Sequence, residues 1–196
     1  DGLETMIPRE YVDRYMDICS RWEKRTMLQL EHDTYSKIIL GDVNNYIAIT
    51  ENGKAKSKGR FEYKELALHK NKSFLIIPKA IQAYFVDGIK PEDYLAQNQN
   101  IFDYCAGIKA KGGWYFENRG LKDGELVTTR LQKIVRYYVS NKGGKLVKCH
   151  PDGRLIQVES GQWLQTTLNE INETRPFESY GINTSYYLEQ IYKEIH

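Results

Sequence analysis

Val43-Asn44-Asn45-Tyr46-Ile47-Ala48-Ile49-Thr50-Glu51-Asn52-Gly53-Lys54-Ala55-Lys56-Ser57-Lys58-Gly59-Arg60-Phe61 reads as two strands folded about a tight turn. Asn and Gly both tolerate positive φ, and an Asn-Gly pair between alternating segments is a strong hairpin signal. The spacing predicts strands over Val43–Thr50 and Lys54–Phe61. In the second strand Lys54, Lys56, Lys58 and Arg60 fall on every other residue, which puts four cations on one face. Ala55, Ser57 and Gly59 fall on the other, where small side chains allow a close approach. Such a face is either a lysine-protected sheet edge or a rail for an anionic backbone, and four of four favours the rail.

Outward from the hairpin, Pro8 opens an amphipathic helix over 8–26, with Val12, Met16, Cys19 and Trp22 on its apolar side. That face requires a sheet or another helix to cover it. Met27–Leu30 and Lys37–Leu40 read as short strands. Beyond Leu66 the pattern is mostly helical: Pro78 to Phe85 ending near Gly88, Pro91 to Gln97, Thr129–Val139 and Ser185–His196. Gly112-Gly113 interrupts an expected second hairpin over 104–118. Pro151-Asp152-Gly153 is a turn between Lys145–Lys148 and Arg154–Val158.

Charge is distributed unevenly although the net is only +2. Residues 1–33 hold eight acids against five bases, and residues 34–72 eight bases against four acids. From Val127 to Pro151 there are six bases, Arg130, Lys133, Arg136, Lys142, Lys145 and Lys148, and no acid. Tracts of this kind suit an anionic partner, of which nucleic acid is the commonest, and from charge alone a solvated basic face fits them equally well. No apolar run approaches the roughly 18–20 residues needed to span a bilayer, and no signal segment is visible. Cys19, Cys105 and Cys149 form no paired motif, so reduced thiols in a cytoplasmic setting are expected. No nucleophile-elbow Gly-x-Ser-x-Gly and no metal-spaced His pair supports a hydrolase. Fifteen Tyr against six Phe supply flat rings with polar tips for half-wet core edges.

The string Gly41-Asp42-Val43-Asn44-Asn45-Tyr46-Ile47-Ala48-Ile49, with Asn52-Gly53-Lys54 and Lys58-Gly59-Arg60-Phe61-Glu62, resembles the palm hairpin of family B DNA polymerases, bacteriophage members in particular. In that family two basic residues precede a tyrosine on the strand that touches the primer end. Tyr46 matches the tyrosine, whereas Val43, Asn44 and Asn45 stand at the basic positions. The asparagine amides would then hydrogen-bond sugars or phosphates in place of charge. Asp1-Gly2, some forty residues earlier, looks like the last aspartate of the family's Asp-Thr-Asp turn. Leu68-His69-Lys70-Asn71-Lys72-Ser73 with Ile76-Ile77-Pro78-Lys79-Ala80 is similar to the palm-to-thumb passage. Leu131-Gln132-Lys133-Ile134-Val135-Arg136-Tyr137-Tyr138-Val139-Ser140 is similar to the thumb, and Tyr180-Gly181-Ile182-Asn183 with Tyr186-Tyr187 to the tail. The resemblance covers nearly the whole chain.

It implies an α+β protein: the end of a polymerase palm over 1–66, a small antiparallel sheet with a backing helix, then a mainly helical thumb over 67–196 with one or two β-hairpins. It implies DNA-directed nucleotidyl transfer with Mg²⁺, held by carboxylates of which this chain offers Asp1 alone. The chain is accordingly expected to be a piece of a longer polymerase, inactive by itself, whose partners are primer–template DNA and the missing N-terminal portion, in a host cytoplasm if of phage origin. Its expected DNA contacts are Asn44, Asn45, Tyr46, Lys54, Lys56, Lys58, Arg60, Lys70, Lys72, Arg130, Lys133, Arg136 and Tyr137. The competing expectations are a stand-alone nucleic-acid-binding module without catalysis and a protein-interaction subunit that uses the tyrosine-rich faces.

Overall fold

The computed structural model of the chain describes residues 3–64, 67, 70, 73–169 and 175–196. A 3-10 turn at Arg9–Tyr11 leads into α1 (Val12–Thr26), as the periodicity predicts. Met27, with φ of 58°, closes this helix in a left-handed conformation, its amide reaching back to Glu23. That closure ends the helix without starting a strand, so Met27–Leu30 is irregular. Of the residues of α1 only Cys19 is buried, while Val12, Met16, Ile18 and Trp22 stay 41–50% exposed. The apolar side of this helix is therefore left largely open, with one side chain buried.

Three antiparallel strands follow: β1 (Tyr35–Asp42), β2 (Asn45–Thr50) and β3 (Ala55–Lys58), with β2 in the centre. The Asn52-Gly53 hairpin is present, with Ile47 opposite Ser57 and Ala48 opposite Lys56. Ile39, Ile47, Ile49 and Ala55 turn towards the body of the protein, where Ile47 is fully buried. β3 is shorter than expected, because Gly59–Phe61 form a 3-10 turn that sends Phe61 into the core.

The helical layer comprises α2 (Ile76–Gln82), a π turn at Ala83–Asp87 closed by Gly88, and α3 (Pro91–Gln97) with Pro91 in its first turn. The largest departure from expectation comes next. In the region 67–196, expected to be mainly helical with one or two hairpins, residues 106–167 form a seven-stranded antiparallel sheet: β4 (Ala106–Lys109), β5 (Tyr115–Lys122), β6 (Glu125–Leu131), β7 (Ile134–Ser140), β8 (Gly144–Cys149), β9 (Leu155–Gln157) and β10 (Leu164–Thr167). The supposed helix Thr129–Val139 is the end of β6 and most of β7. Gly112-Gly113 does make a turn, but β4 pairs with β7 and β5 with β6 and β8. Asp152 sits in the expected turn between the paired strands β8 and β9. The chain ends in α4 (Thr184–Ile195), whose Asn183 cap accepts from the Tyr186 amide.

Strand order in the large sheet is β4-β7-β10-β8-β5-β6, with β9 beside β8. β6 and β7 thus lie four places apart although only Gln132 and Lys133 join them. Four steps across a flat sheet need roughly 19 Å, and three peptide links reach only about 10–11 Å. The sheet must roll up. Gly143 and Gly144 permit this: a Cβ on Gly143 would stand 2.5 Å from the Gln165 carbonyl, and one on Gly144 2.6 Å from that of Arg119. Only Gln165 of β10 pairs with β8, at Gly144, and its fully buried side chain extends the ladder by accepting from the Leu146 amide at 2.8 Å.

One core joins Ile47 and Phe61 to Ile76, Ile81, Tyr104, Tyr138, Tyr180, Tyr187 and Ile191, and a second lies within the rolled sheet around Phe116, Val135, Tyr137 and Leu146. Phe74 packs against both, its ring edge-to-face with Tyr137, Tyr186 and Tyr187. Tyr187 is 0% exposed; its hydroxyl accepts from the Val139 amide at 2.9 Å and donates to the Tyr104 carbonyl at 2.7 Å. Tyr187→Phe keeps the ring and orphans both backbone groups. It should cost about 1–3 kcal/mol, read as a lower urea midpoint at unchanged m-value; a midpoint within error of wild type would show that these bonds hold nothing.

Candidate nucleic-acid interface

The expected contact residues separate once their partners are known. On the hairpin, Asn45 is structural: its Oδ1 accepts from the Arg60 amide at 2.7 Å, and its Nδ2 donates to the Asp42 carboxylate at 2.7 and 2.8 Å. Asn44 is exposed, and its amide also donates to Asp42, at 2.9 Å. The Asn44 amide first, then the Asn45 side chain, hold the Asp42 carboxyl below the usual carboxylate range. The pair therefore closes the open end of the hairpin, where the β1–β2 connection crosses the turn after β3.

The four-cation face is also resolved. Lys56 is paired with Asp33 at 2.9 Å, and Arg60, turned off the strand by Gly59–Phe61, meets Glu194 of α4 at 3.0 Å. The Lys56 hydrogen bond, followed by that of Tyr35, lowers the Asp33 pKa. Lys54 precedes the strand and is exposed. Lys58 stays on β3 directly opposite Tyr46, its ammonium 6.0 Å from the tyrosine ring. That is the outer limit for a cation–π contact. Lys58 has no carboxylate partner among the described residues. Tyr46 is half-buried on the face of the sheet away from the core, since Ile47 points inward.

The acid-free tract becomes a row along two strands instead of a helical face. Arg130 on β6 is exposed and stacks on Tyr115 at 4.1 Å. The acid opposite it, Glu117, is held by Arg119 at 2.8 Å, so the Arg130 N–H groups keep free directions. Lys133 is exposed in the link between β6 and β7, and its carbonyl accepts from Ala110. Arg136 on β7 is partly covered, 5.8 Å from the Phe102 ring. Extended chain separates Arg130 from Arg136 by up to about 20 Å, roughly twice what a helix would give. Two other bases of the tract are committed to loops: Lys142 donates to Ser179 at 2.6 Å and Lys145 to Gly161 at 2.7 Å. Tyr137 is 3% exposed and donates to Glu159 at 2.5 Å. Burial, reinforced by Glu159, pushes its pKa up, so it faces the core and offers nothing to a duplex.

Lys70 is exposed in a turn closed by its own amide on the Ala67 carbonyl at 2.8 Å. Asp1 and Lys72 lie outside the described residues. Among the described residues no three His, Cys, Asp or Glu side chains come together to hold a metal ion, and no helix is long and apolar enough to cross a membrane. The site gains Tyr115, which sequence reading missed because its partner Arg130 is fifteen positions away in the chain.

Comparison with protein-family models, with curated proteins and with solved structures returned no match. Geometry also separates the hairpin residues that brace the fold, such as Asn45, from those left exposed for a ligand, such as Lys58. Asn45→Ala should lower stability by roughly 1 kcal/mol, as for other side-chain hydrogen bonds, and leave DNA affinity unchanged once the protein is folded. Lys58→Ala should do the reverse. Chemical denaturation and fluorescence anisotropy on the same two proteins check this, and an equal DNA defect in both would contradict it.

Proposed function

We propose that this chain is the DNA-holding C-terminal part of a family B DNA polymerase, gripping the primer–template duplex during template-directed nucleotidyl transfer. The observation that carries the reading is the Tyr46–Lys58 pair. A tyrosine and an unneutralised lysine face each other across the hairpin whose sequence resembles the family's primer-contacting element. The row Arg130, Lys133 and Arg136 supports it as a second set of phosphate contacts, with Lys54 beside the first.

The chemistry assigned to these residues is positional. Lys and Arg neutralise phosphate oxygens and fix the register of a duplex without reading sequence. Tyr46 offers a flat ring and a hydroxyl to the sugar of the terminal nucleotide. In the whole enzyme the Mg²⁺ ions would sit on carboxylates that the described residues do not supply, so no catalytic step is assigned to them. Isolated, the 196-residue chain is expected to incorporate no nucleotide on a primed template with Mg²⁺, and measurable extension would refute that.

Non-specific duplex binding should give a Kd of about 10⁻⁴–10⁻⁶ M at physiological salt. Arg130→Ala/Lys133→Ala/Arg136→Ala should weaken binding equally for unrelated sequences. It should also reduce the slope of log affinity on log salt by about 1 per lost phosphate contact. An unchanged slope would mean that this surface is merely solvated, and the polymerase reading would lose its support on the large sheet.

A further inference from the structure

At one end of the rolled sheet the core face opens to solvent. Register places Phe116, Lys148 and Ile156 side by side on β5, β8 and β9. Two residues from these, on the same face by strand alternation, stand Trp114 and Arg154. The contacts agree: the Lys148 ammonium lies 4.9 Å and the Arg154 guanidinium 5.3 Å from the Trp114 ring. Trp114 is only half-buried, and Ile156 is 52% exposed beside it.

Two turns frame this corner. Gly113 brings the first turn against His150, since a Cβ there would lie 3.1 Å from the imidazole Nε2. Asp152 in the second turn receives the Arg154 Nε and lies against His150 Nδ1, both at 2.8 Å. The carboxylate thus orients Arg154 over the indole, and the guanidinium side chain remains 64% exposed. Lys148 has no carboxylate partner among the described residues. An exposed apolar surface carrying an aromatic ring, with two cations held above it, suits a ligand that has both a π-face and a phosphate.

We propose that Trp114, Lys148, Arg154 and Ile156 form a binding site for single-stranded nucleic acid, with a base against the Trp114–Ile156 surface and its flanking phosphates on Lys148 and Arg154. A duplex keeps its base faces stacked, whereas an unpaired strand presents them, and base–aromatic stacking is tolerant of sequence. The inference extends the duplex-holding reading to a different ligand, the unpaired strand that adjoins a primer–template junction, and uses none of the same side chains.

The test is the binding of labelled oligothymidylate, about 20 nucleotides long to exceed a typical single-strand site, to the full chain and to Lys148→Gln/Arg154→Gln. The double variant should bind the single strand at least tenfold more weakly at low salt. Its salt slope should be shallower by about 1.4, two contacts at roughly 0.7 each. Its duplex slope should equal that of wild type. Lys148→Arg/Arg154→Lys, which keeps both charges, should bind oligothymidylate as wild type does and so separates lost contacts from lost folding. Unchanged single-strand binding by the glutamine variant overturns the proposal, as does an equal loss for duplex and single strand. Failure of the Arg130, Lys133 and Arg136 variant to change duplex binding would instead count only against the duplex reading.

Discussion

Tyr187 ties together three parts of the chain that are far apart in sequence. Its ring, on α4, lies edge-to-face with Tyr104, Phe74 and Tyr186, and its hydroxyl bridges a β7 amide and the carbonyl of Tyr104. Burying such a hydroxyl without partners would cost several kcal/mol; here both neighbours are backbone groups that also need partners. The same economy recurs nearby. Tyr104 donates to Leu95, Tyr138 to Tyr180, and Tyr137 and Tyr186 both donate to Glu159. Although the buried Tyr180 hydroxyl has no hydrogen-bond partner among the described residues, Tyr104, Tyr137, Tyr138, Tyr186 and Tyr187 form a network of buried rings whose polar tips all have one. It fixes α4 and the loop at Glu159 against the rolled sheet.

That anchoring determines what the sheet can present. The carboxylate of Glu159 lies between a β7 tyrosine and an α4 tyrosine, and burial together with Glu159 raises the pKa of both phenols. The hydroxyls therefore remain protonated donors at ordinary pH. With β7 held from that side, the two-residue link to β6 must cross to the other end of the strand order, and the glycines at 143 and 144 let the sheet bend to meet it. The basic row at Arg130, Lys133 and Arg136 runs along this crossing. Arg130 and Arg136 alternate along their strands with Leu131, Val135 and Tyr137, which pack inside the roll, so the pleat turns both cations to its outer side.

The elements with strong local signals were legible in the sequence. The Asn52-Gly53 hairpin, α1, Pro91–Gln97 and the last helix occur where periodicity and turn chemistry put them. Thr129–Val139 was misread because Leu131, Ile134, Val135 and Tyr138 satisfy a helical period. The competing signal was the density of β-branched and aromatic residues, and the alternation of Val135, Tyr137 and Val139, which are buried in β7. Gly112-Gly113 marked a true turn, yet the partner of β4 lies some 25 residues beyond it. Such non-local pairing leaves no mark in either strand. The cationic face of the hairpin was half legible: alternation is correct for Lys56 and Lys58, but Asp33 and Glu194, which neutralise Lys56 and Arg60, are distant in sequence.

This last point bears on how basic residues should be read at all. Of the cations singled out in the sequence, Lys56 and Arg60 end in ion pairs, and Lys142 and Lys145 end on backbone carbonyls that fasten loops. A paired surface cation gains little for the fold and offers less charge to a phosphate. Lys58, Arg130 and Lys148 differ: each lies near an aromatic ring, Tyr46, Tyr115 or Trp114, and none has a carboxylate partner among the described residues. A ring attracts a cation without cancelling its charge. It holds the side chain in place while leaving its field directed outwards. Strand pairing fixes the rings, the rings orient the cations, and the cations are then presented on a rigid surface, as a protein requires if it is to grip a sugar-phosphate backbone without reading its bases.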